Sequence, residues 1–184
     1  MTARRPIWTT QEPAMPSAPD RDRRRLLGLC AASLLAITPP TFAQTAPPTL
    51  EGIDSQARPF DLTRLRGQVV MVMFWSTACA VCRDKMPELR ANLRGWLGQP
   101  FTLVGVNTDP ERASFDEWER LVSLTVPAEL RFVQLWRGDA RHRDSFGPTG
   151  VLPATYLIDK QGRVANSFHG RIPAEAWDRI ADLL

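Results

Sequence analysis

Residues 69–82 read VVMVMFWSTACAVC, and this stretch decides both the fold and the chemistry of the chain. It begins with an uninterrupted apolar run, Val69 to Trp75, which predicts a buried central strand. Two cysteines then follow with two residues between them, where the pattern changes to that of a helix. A helix N-terminus carries unpaired N–H groups and a partial positive charge, so a thiolate is stabilised there. We predict that Cys79 is the attacking thiol of a redox pair and that Cys82 is the resolving one.

Two cysteines at this spacing have two other interpretations. They can be half of a zinc site, but zinc requires four ligands. After the first 43 residues the sequence adds only His142 and His169, which lack ligand-like spacing. The pair can also be a permanent disulfide, although so small a loop constrains little of the unfolded chain. Redox use is the favoured interpretation, so we expect no metal and no cofactor beyond the Cys79–Cys82 disulfide itself.

The charge balance argues against one class of partner. The chain has 184 residues and a net charge of +3, but its first 43 residues hold six arginines and three acidic residues. The remaining sequence has 17 cationic and 17 anionic side chains. Because nucleic-acid-binding proteins usually carry an excess of basic residues, we expect no nucleic-acid partner.

The first 43 residues have the three parts of an export signal. Arg21 to Arg25 form a charged region, residues 26–37 form an apolar region of 12 residues, and Thr41-Phe42-Ala43 resembles a cleavage site. An ordinary membrane-spanning helix needs ~20 apolar residues, which is more than this region offers. We therefore predict a signal peptide over residues 1–43, with twin-arginine export and an uncleaved anchor as the open alternatives.

Cleavage of this segment would define the rest of the chain. Residues 44–48 would be a short proline-rich linker, and residues 49–184 would form one domain with a sizeable core. Cys30 would leave with the signal, so Cys79 and Cys82 would be the two cysteines of the exported protein. We expect a periplasmic location, with contact to the membrane only if the N-terminal segment is retained.

The order of apolar runs and turns predicts an α/β domain with a mixed central sheet, helices on both faces and an N-terminal strand pair. Strands are predicted at residues 50–54, 57–62, 69–75, 101–107, 130–135, 154–158 and 163–168. Helices are predicted at residues 79–97, 111–124, 139–146 and 173–184, with a helical turn at 61–67. The helix at 139–146 would carry Arg141, His142 and Arg143 as a solvated face or, alternatively, as a docking site for an acidic partner.

Several motifs, in this order and spacing, resemble those of a known family over about residues 48–184. They are Phe60-Asp61-Leu62 up to Gly67, Phe74-Trp75-x-x-x-Cys79-x-x-Cys82-Arg83 with Met86-Pro87, Gly105-Val106-Asn107-Thr108-Asp109, and Gly150 to Gly162. The chain resembles the thioredoxin-like superfamily, and in particular its TlpA/ResA-like exported thiol–disulfide oxidoreductases. The resemblance implies a thioredoxin-like fold and protein-disulfide chemistry at the two cysteines.

The resemblance also implies a client-binding groove. In the family, the proline at the position of Pro153 follows a cis peptide bond and lies against the cysteine pair. The backbone of Leu152 would then pair with an extended client segment and hold its sulfur near Cys79. Trp75 would pack beside the pair, and with Ala80 and Val81 it completes the set of residues expected to bind the client.

The sequence departs from the family pattern around the pair. Ala78 replaces a tryptophan that often precedes the first cysteine, and Met73 stands where thioredoxin has a buried aspartate. Lys85 replaces a glutamate that this branch often places three residues after the second cysteine. Because an ammonium group near a thiolate lowers its pKa, and stabilisation of the dithiol state raises the reduction potential, we predict that Lys85 makes this protein a weaker reductant.

The predicted function is reduction of disulfides in client proteins of the cytochrome c or copper-site maturation type. The family implies a membrane thiol relay as the electron donor. The same chemistry run in reverse would make the protein an oxidant or isomerase. A copper-binding or docking module is the non-enzymatic alternative, because sulfur groups are soft copper ligands. The sulfur side chains in question are those of Cys79, Cys82, Met71, Met73 and Met86.

Overall fold

The computed structural model describes residues 46–184. The predicted signal peptide with Cys30, and the first two residues of the predicted linker, lie outside the described residues. The strands are β1 (Leu50–Ile53), β2 (Pro59–Asp61), β3 (Val69–Trp75), β4 (Phe101–Asn107), β5 (Val133–Trp136), β6 (Arg143–Asp144), β7 (Ala154–Ile158) and β8 (Val164–His169). The helices are α1 (Ala80–Gly95), α2 (Arg112–Thr125) and α3 (Glu175–Leu183), with 3-10 turns at Leu62–Leu65 and Ala128–Leu130.

The central sheet has five strands in the order β5-β4-β3-β7-β8. β3 pairs in parallel with β4 and antiparallel with β7, so the sheet is mixed. A second, antiparallel sheet has the order β2-β1-β6. The predicted α/β class with a mixed central sheet is therefore confirmed, and the predicted N-terminal strand pair is part of a three-stranded sheet.

β3 lies at the centre of the core because all seven of its side chains are buried. Alternate residues of a strand point to opposite faces, and those of β3 fall into two apolar clusters. Met71, Met73 and Trp75 pack in a first cluster with Cys82 and other residues of α1 and α3. The residues of β3 that point to the other face pack in a second cluster with residues of β1 and of the first 3-10 turn. The helix that carries the cysteines is thus anchored directly on the central strand.

The predicted helix at residues 139–146 is wrong. The segment forms a turn followed by the short strand β6, whose Asp144 and Arg143 face Leu50 and Glu51 of β1. Asp139 accepts a hydrogen bond from the N–H of Arg141, and such local side-chain bonds compete with a helical backbone. Pairing with β1 then stabilises the extended form. This pairing joins residues that are almost a hundred positions apart in the sequence.

Smaller differences of one to three residues concern the ends of several other elements. The strand predicted at 130–135 is Val133–Trp136, because Leu130 ends a 3-10 turn. The helix predicted at 173–184 is Glu175–Leu183. None of the helices in residues 46–184 has the length and apolar character that a membrane crossing requires.

Candidate active site

The two cysteines lie where β3 gives way to α1. Ser76, Thr77 and Ala78 form a short turn, and Cys79 is the N-cap residue of α1. The N–H of Cys82 donates to Cys79 Sγ at 3.1 Å, and the two cysteines form a disulfide. A donor aimed at Sγ would also stabilise a thiolate at Cys79 in the reduced protein.

The two cysteines differ in exposure to solvent. Cys82 is fully buried in the first apolar cluster, whereas Cys79 is only partly buried. Ala80 is exposed, and Val81 is partly buried. Another molecule can therefore reach Cys79 but not Cys82, which is the asymmetry expected of an attacking and a resolving thiol.

The predicted client contact of Trp75 is not supported by its position. Its side chain is fully buried, and its Nε1 donates to Gln134 Oε1 at 3.0 Å. Its ring lies 5.2 Å from that of Trp118, centroid to centroid. Trp75 is therefore a core residue that belongs to the same apolar cluster as Cys82, and it offers no surface to a client.

Leu152 and Pro153 directly precede β7, whose Ala154 pairs with Phe74 near the end of β3. Their peptide bond is cis, and Leu152 packs against the first apolar cluster, which Cys79 also contacts. Pro153 is buried, and its carbonyl accepts from the N–H of Gly170 at 2.8 Å. Within residues 46–184, no hydrogen bond occupies the backbone N–H or C=O of Leu152. A backbone edge without partners is what an added client strand would need.

Lys85 has a partner that the sequence alone did not indicate. Its side chain is only 8% exposed, and its Nζ lies 2.6 Å from Glu88 Oε2. Glu88 Oε1 accepts a hydrogen bond from Trp177 Nε1 at 2.7 Å. Burial acts to raise the pKa of Glu88, but the bonds from Lys85 and Trp177 outweigh it and lower that pKa. The ammonium group one turn beyond Cys82 is thus buried and paired with a carboxylate.

Asp109 is the second acidic residue near the pair that the sequence did not assign to the site. Its place after β4 predicts an N-cap role for α2, with Thr108 as the alternative. In the structure the N-cap of α2 is Glu111, whose side chain makes no capping bond. The carboxylate of Asp109 instead accepts hydrogen bonds from Ser76 and Thr77, in the turn before Cys79. The motif Gly105 to Asp109 is the feature of the sequence that could have indicated a role for Asp109 at the site.

The methionines named for the copper alternative are core residues. Met71 and Met73 are fully buried on β3, and Met86 is nearly so on α1. All three belong to the first apolar cluster. Across residues 46–184, no group of three or more His, Cys, Asp or Glu side chains is arranged to hold a metal ion.

Residues 42–167 match the AhpC/TSA family. The chain belongs to that family. Among relatives of this AhpC/TSA protein, the thiol-disulfide oxidoreductase ResA of Geobacillus thermodenitrificans is 29% identical over 122 residues, which cover 66% of each chain. The thiol:disulfide interchange protein DsbE of Pseudomonas aeruginosa is 29% identical over 135 residues, covering 73% of this chain and 69% of the relative.

Solved structures show that this AhpC/TSA protein has the thioredoxin-like fold. A thioredoxin-family thiol:disulfide interchange protein from Chlorobium tepidum TLS superposes with a TM-score of 0.57 at 21% identity, over 76% of this chain and 97% of that one. A DsbF homologue from Corynebacterium diphtheriae gives a TM-score of 0.58 at 21% identity, over 75% and 85%. The chain spans slightly less than two thirds of the length of the ResA relatives, from 62% to 66%.

Proposed function

We propose that this protein is an exported thiol–disulfide oxidoreductase that reduces disulfides in client proteins. One observation carries the proposal: an accessible Cys79 caps α1 while Cys82 is fully buried behind it. A permanent disulfide gains nothing from a sulfur held at a helix N-terminus, whereas a nucleophilic thiolate is stabilised there. The relatives named ResA and DsbE support the same chemistry.

The reaction starts from the reduced pair. The Cys79 thiolate attacks one sulfur of the client disulfide, whose S–S bond breaks, and the leaving client sulfur takes up a proton. Cys82 then loses its proton and attacks Cys79 Sγ, so the mixed disulfide breaks and the second client sulfur is released. Two electrons have passed to the client, and the Cys79–Cys82 disulfide has formed. A membrane thiol relay is the class of donor that would return the pair to its reduced form.

The client would bind as an extended segment along Leu152. The unoccupied backbone groups of Leu152 would pair with it, and Pro153 would support the floor of the groove beside Cys79. Ala80 and the partly buried Val81 would border the same groove from α1. Clients of the cytochrome c or copper-site maturation type, in the periplasm, are the proposed class.

The oxidant or isomerase function is a second candidate, because one observation favours it. Lys85 is buried one turn from Cys82, where a positive charge would stabilise the reduced pair and raise its reduction potential. The neighbouring Glu88 opposes this effect. The balance between the two charges would therefore contribute to the reduction potential, and with it to the direction of electron flow.

Two measurements test the proposal. The reduced protein should reduce insulin disulfides with turnover when dithiothreitol regenerates it, and Cys79→Ser should abolish this activity. Equilibration with a thiol buffer of known potential should give a value near thioredoxin's ~−270 mV for a reductant. A value approaching ~−120 mV, which is typical of a strong oxidant, would instead support the second candidate.

A further inference from the structure

The Asp109 carboxylate is buried and fully occupied by hydrogen bonds. Only 4% of the residue is exposed. Its Oδ1 accepts from Ser76 Oγ at 2.5 Å and from the N–H of Thr77 at 2.9 Å. Its Oδ2 accepts from Asn107 Nδ2 at 2.9 Å. Three donors thus converge on one acidic side chain next to the cysteine turn.

The sheet explains how Asp109 reaches that turn. β3 and β4 are parallel neighbours, and Trp75 at the end of β3 faces Asn107 at the end of β4. The two loops that follow these strands therefore leave the same edge of the sheet. The N–H of Thr108 donates to the carbonyl of Trp75 at 2.8 Å, which ties the loops together before Asp109 crosses over.

Asp109 is itself held from two sides. Its backbone N–H donates to Asn107 Oδ1 at 3.0 Å. Its backbone carbonyl accepts from Trp136 Nε1, at the end of β5, at 2.8 Å. The carboxylate is therefore a rigid anchor rather than a side chain that follows the turn.

A chain of hydrogen bonds leads from this anchor to the nucleophile. Ser76 Oγ donates to Asp109 and accepts from the N–H of Ala78 at 3.1 Å. The carbonyl of Ser76 accepts from the N–H of Cys79, also at 3.1 Å. These bonds connect the Ser76 side chain, which Asp109 holds, to the backbone of the turn that ends at Cys79, the N-cap residue of α1.

We propose that Asp109 is a positioning residue for the reaction, whose carboxylate holds the turn from Ser76 to Ala78 so that Cys79 Sγ stays at the N-terminus of α1. There the N–H of Cys82 stabilises the thiolate. The proposal rests on the proposed function, since it assigns a role within thiol–disulfide exchange.

The charge of Asp109 would act in the opposite sense. A nearby negative charge disfavours a thiolate and raises its pKa. The geometric effect should dominate, because the dipoles of three donors point at the carboxylate and offset part of its electric field. Burial alone would raise the pKa of Asp109, but the bonds from Ser76, Asn107 and Thr77 outweigh it and lower that pKa. The two effects predict opposite changes when Asp109 is replaced, so they can be separated.

Two substitutions separate them. Asp109→Asn removes the charge but keeps one oxygen for Ser76 and Thr77, whereas Asp109→Ala removes both the charge and the anchor. The pKa of Cys79 is measured from thiolate absorbance at 240 nm, together with the rate of attack on a small aromatic disulfide. We expect Asp109→Ala to raise the pKa of Cys79 by about one unit, which means about tenfold less thiolate below that pKa. We expect Asp109→Asn to leave it unchanged or slightly lower.

A lower Cys79 pKa in both variants, by similar amounts, would overturn the proposal, because charge would then be the only effect. An unchanged pKa and rate in folded Asp109→Ala would also overturn it. Ser76→Ala removes the hydroxyl link between Asp109 and the turn without touching a charge, and leaves the bond from the N–H of Thr77 in place. It should also raise the Cys79 pKa. This variant keeps the test decisive if Asp109→Ala does not fold.

Asp159→Ala is the matched control. Asp159 is also a buried aspartate that holds a turn, accepting from the N–H and Nε of Arg163 at 2.8 and 2.9 Å. It follows β7, whose Ile158 faces Val70 near the start of β3, so it lies at the opposite end of the sheet from Trp75. The control should lose stability and keep the Cys79 pKa. If the wild-type protein reduces no client disulfide while the Cys79 pKa responds as expected, the proposed function fails and the role of Asp109 in positioning Cys79 stands.

Discussion

Glu88→Gln and Lys85→Met should move the reduction potential of the cysteine pair in opposite directions. Lys85 lies one turn after Cys82 on α1, and both residues are buried, so water screens their interaction weakly. Glu88 Oε2 lies 2.6 Å from Lys85 Nζ and opposes the effect of the ammonium group on a thiolate. Removal of the carboxylate should favour the reduced pair, and removal of the ammonium group should disfavour it.

The magnitude follows from Coulomb's law. Side chains three residues apart on a helix are ~6 Å apart, and at an effective dielectric constant of ~20 an ammonium group there stabilises a thiolate by ~3 kcal/mol. A carboxylate ~3 Å farther away opposes this by ~2 kcal/mol. For a two-electron couple ~1.4 kcal/mol corresponds to ~30 mV, so Glu88→Gln should raise the potential by up to ~40 mV and Lys85→Met should lower it by up to ~60 mV. The side chain of Glu88 is 41% exposed, so screening by water makes the first figure an upper bound.

The assay is equilibration of each variant with glutathione or dithiothreitol buffers, followed by alkylation and separation of the reduced and oxidised forms. Measurements at pH 7 and pH 9 show whether the shift grows with the thiolate fraction, as an electrostatic cause requires. Lys160→Met is the charge control, because Lys160 follows β7 at the far end of the sheet. Shifts of the same sign in Glu88→Gln and Lys85→Met, or shifts no larger than that of the control, would refute the reasoning.

Three further predictions concern the mechanism and the stability of the fold. Cys82→Ala should leave Cys79 able to attack a client but unable to release it, so non-reducing electrophoresis should show a trapped mixed disulfide that Cys79→Ala does not form. Arg137→Met should lower the free energy of unfolding by ~2 kcal/mol, because the buried Asp144 carboxylate loses two charged hydrogen bonds at 2.9 Å and keeps those from His142 and the N–H of Phe146. Urea denaturation checks this, and a loss below ~1 kcal/mol would contradict it. The pKa values of Asp109 and Asp144 are lowered in the folded protein, since hydrogen bonds and ion pairs outweigh burial. Their contribution is complete above the unfolded value of ~3.9 and is lost as the pH falls through the lower folded values, so this part of the free energy of unfolding should be constant from pH 5 to 7 and fall below about pH 4. Urea denaturation at each pH, compared with that of Asp144→Asn, measures the part that Asp144 contributes.

The strands of the central sheet could be predicted because their local signals were strong. The predicted bounds of Val69–Trp75, Phe101–Asn107 and Ala154–Ile158 agree with the structure. Each is an apolar run that ends at polar or turn-forming residues, and burial on both faces leaves no competing pattern. The residues around Cys79 followed from the same reasoning, since a buried strand that runs into a helix places the intervening turn at the edge of the sheet.

What could not be predicted depends on partners that are distant in sequence. The charged composition of the segment at 139–146 is compatible with a surface helix. Its pairing with β1 makes part of it a strand. Lys85 has a neighbouring carboxylate at Glu88, but the other side-chain donor to this carboxylate is Trp177, 89 residues away from Glu88. Asp109 follows a strand and precedes a helix, where capping is the local expectation. Its actual partner is the turn after a parallel neighbouring strand, which no local rule indicates.

The two acidic residues explain why the direction of electron flow cannot be inferred from the cysteine spacing alone. Asp109 acts on Cys79 through the geometry of a turn, and Glu88 acts on Cys82 through the charge of Lys85. The first effect changes the thiolate fraction of Cys79 and therefore the rate of attack, and through the stability of the reduced pair it also contributes to the potential. The second changes the equilibrium between dithiol and disulfide without requiring a change at Cys79. The two are separable, because Asp109→Ala should move both the Cys79 pKa and the potential, whereas Glu88→Gln should move the potential and leave the Cys79 pKa nearly unchanged. If Glu88→Gln moved the Cys79 pKa as much as the potential, the two sulfur atoms would share one electrostatic environment, and the assignment of rate to Asp109 and of direction to the Lys85–Glu88 pair would be wrong.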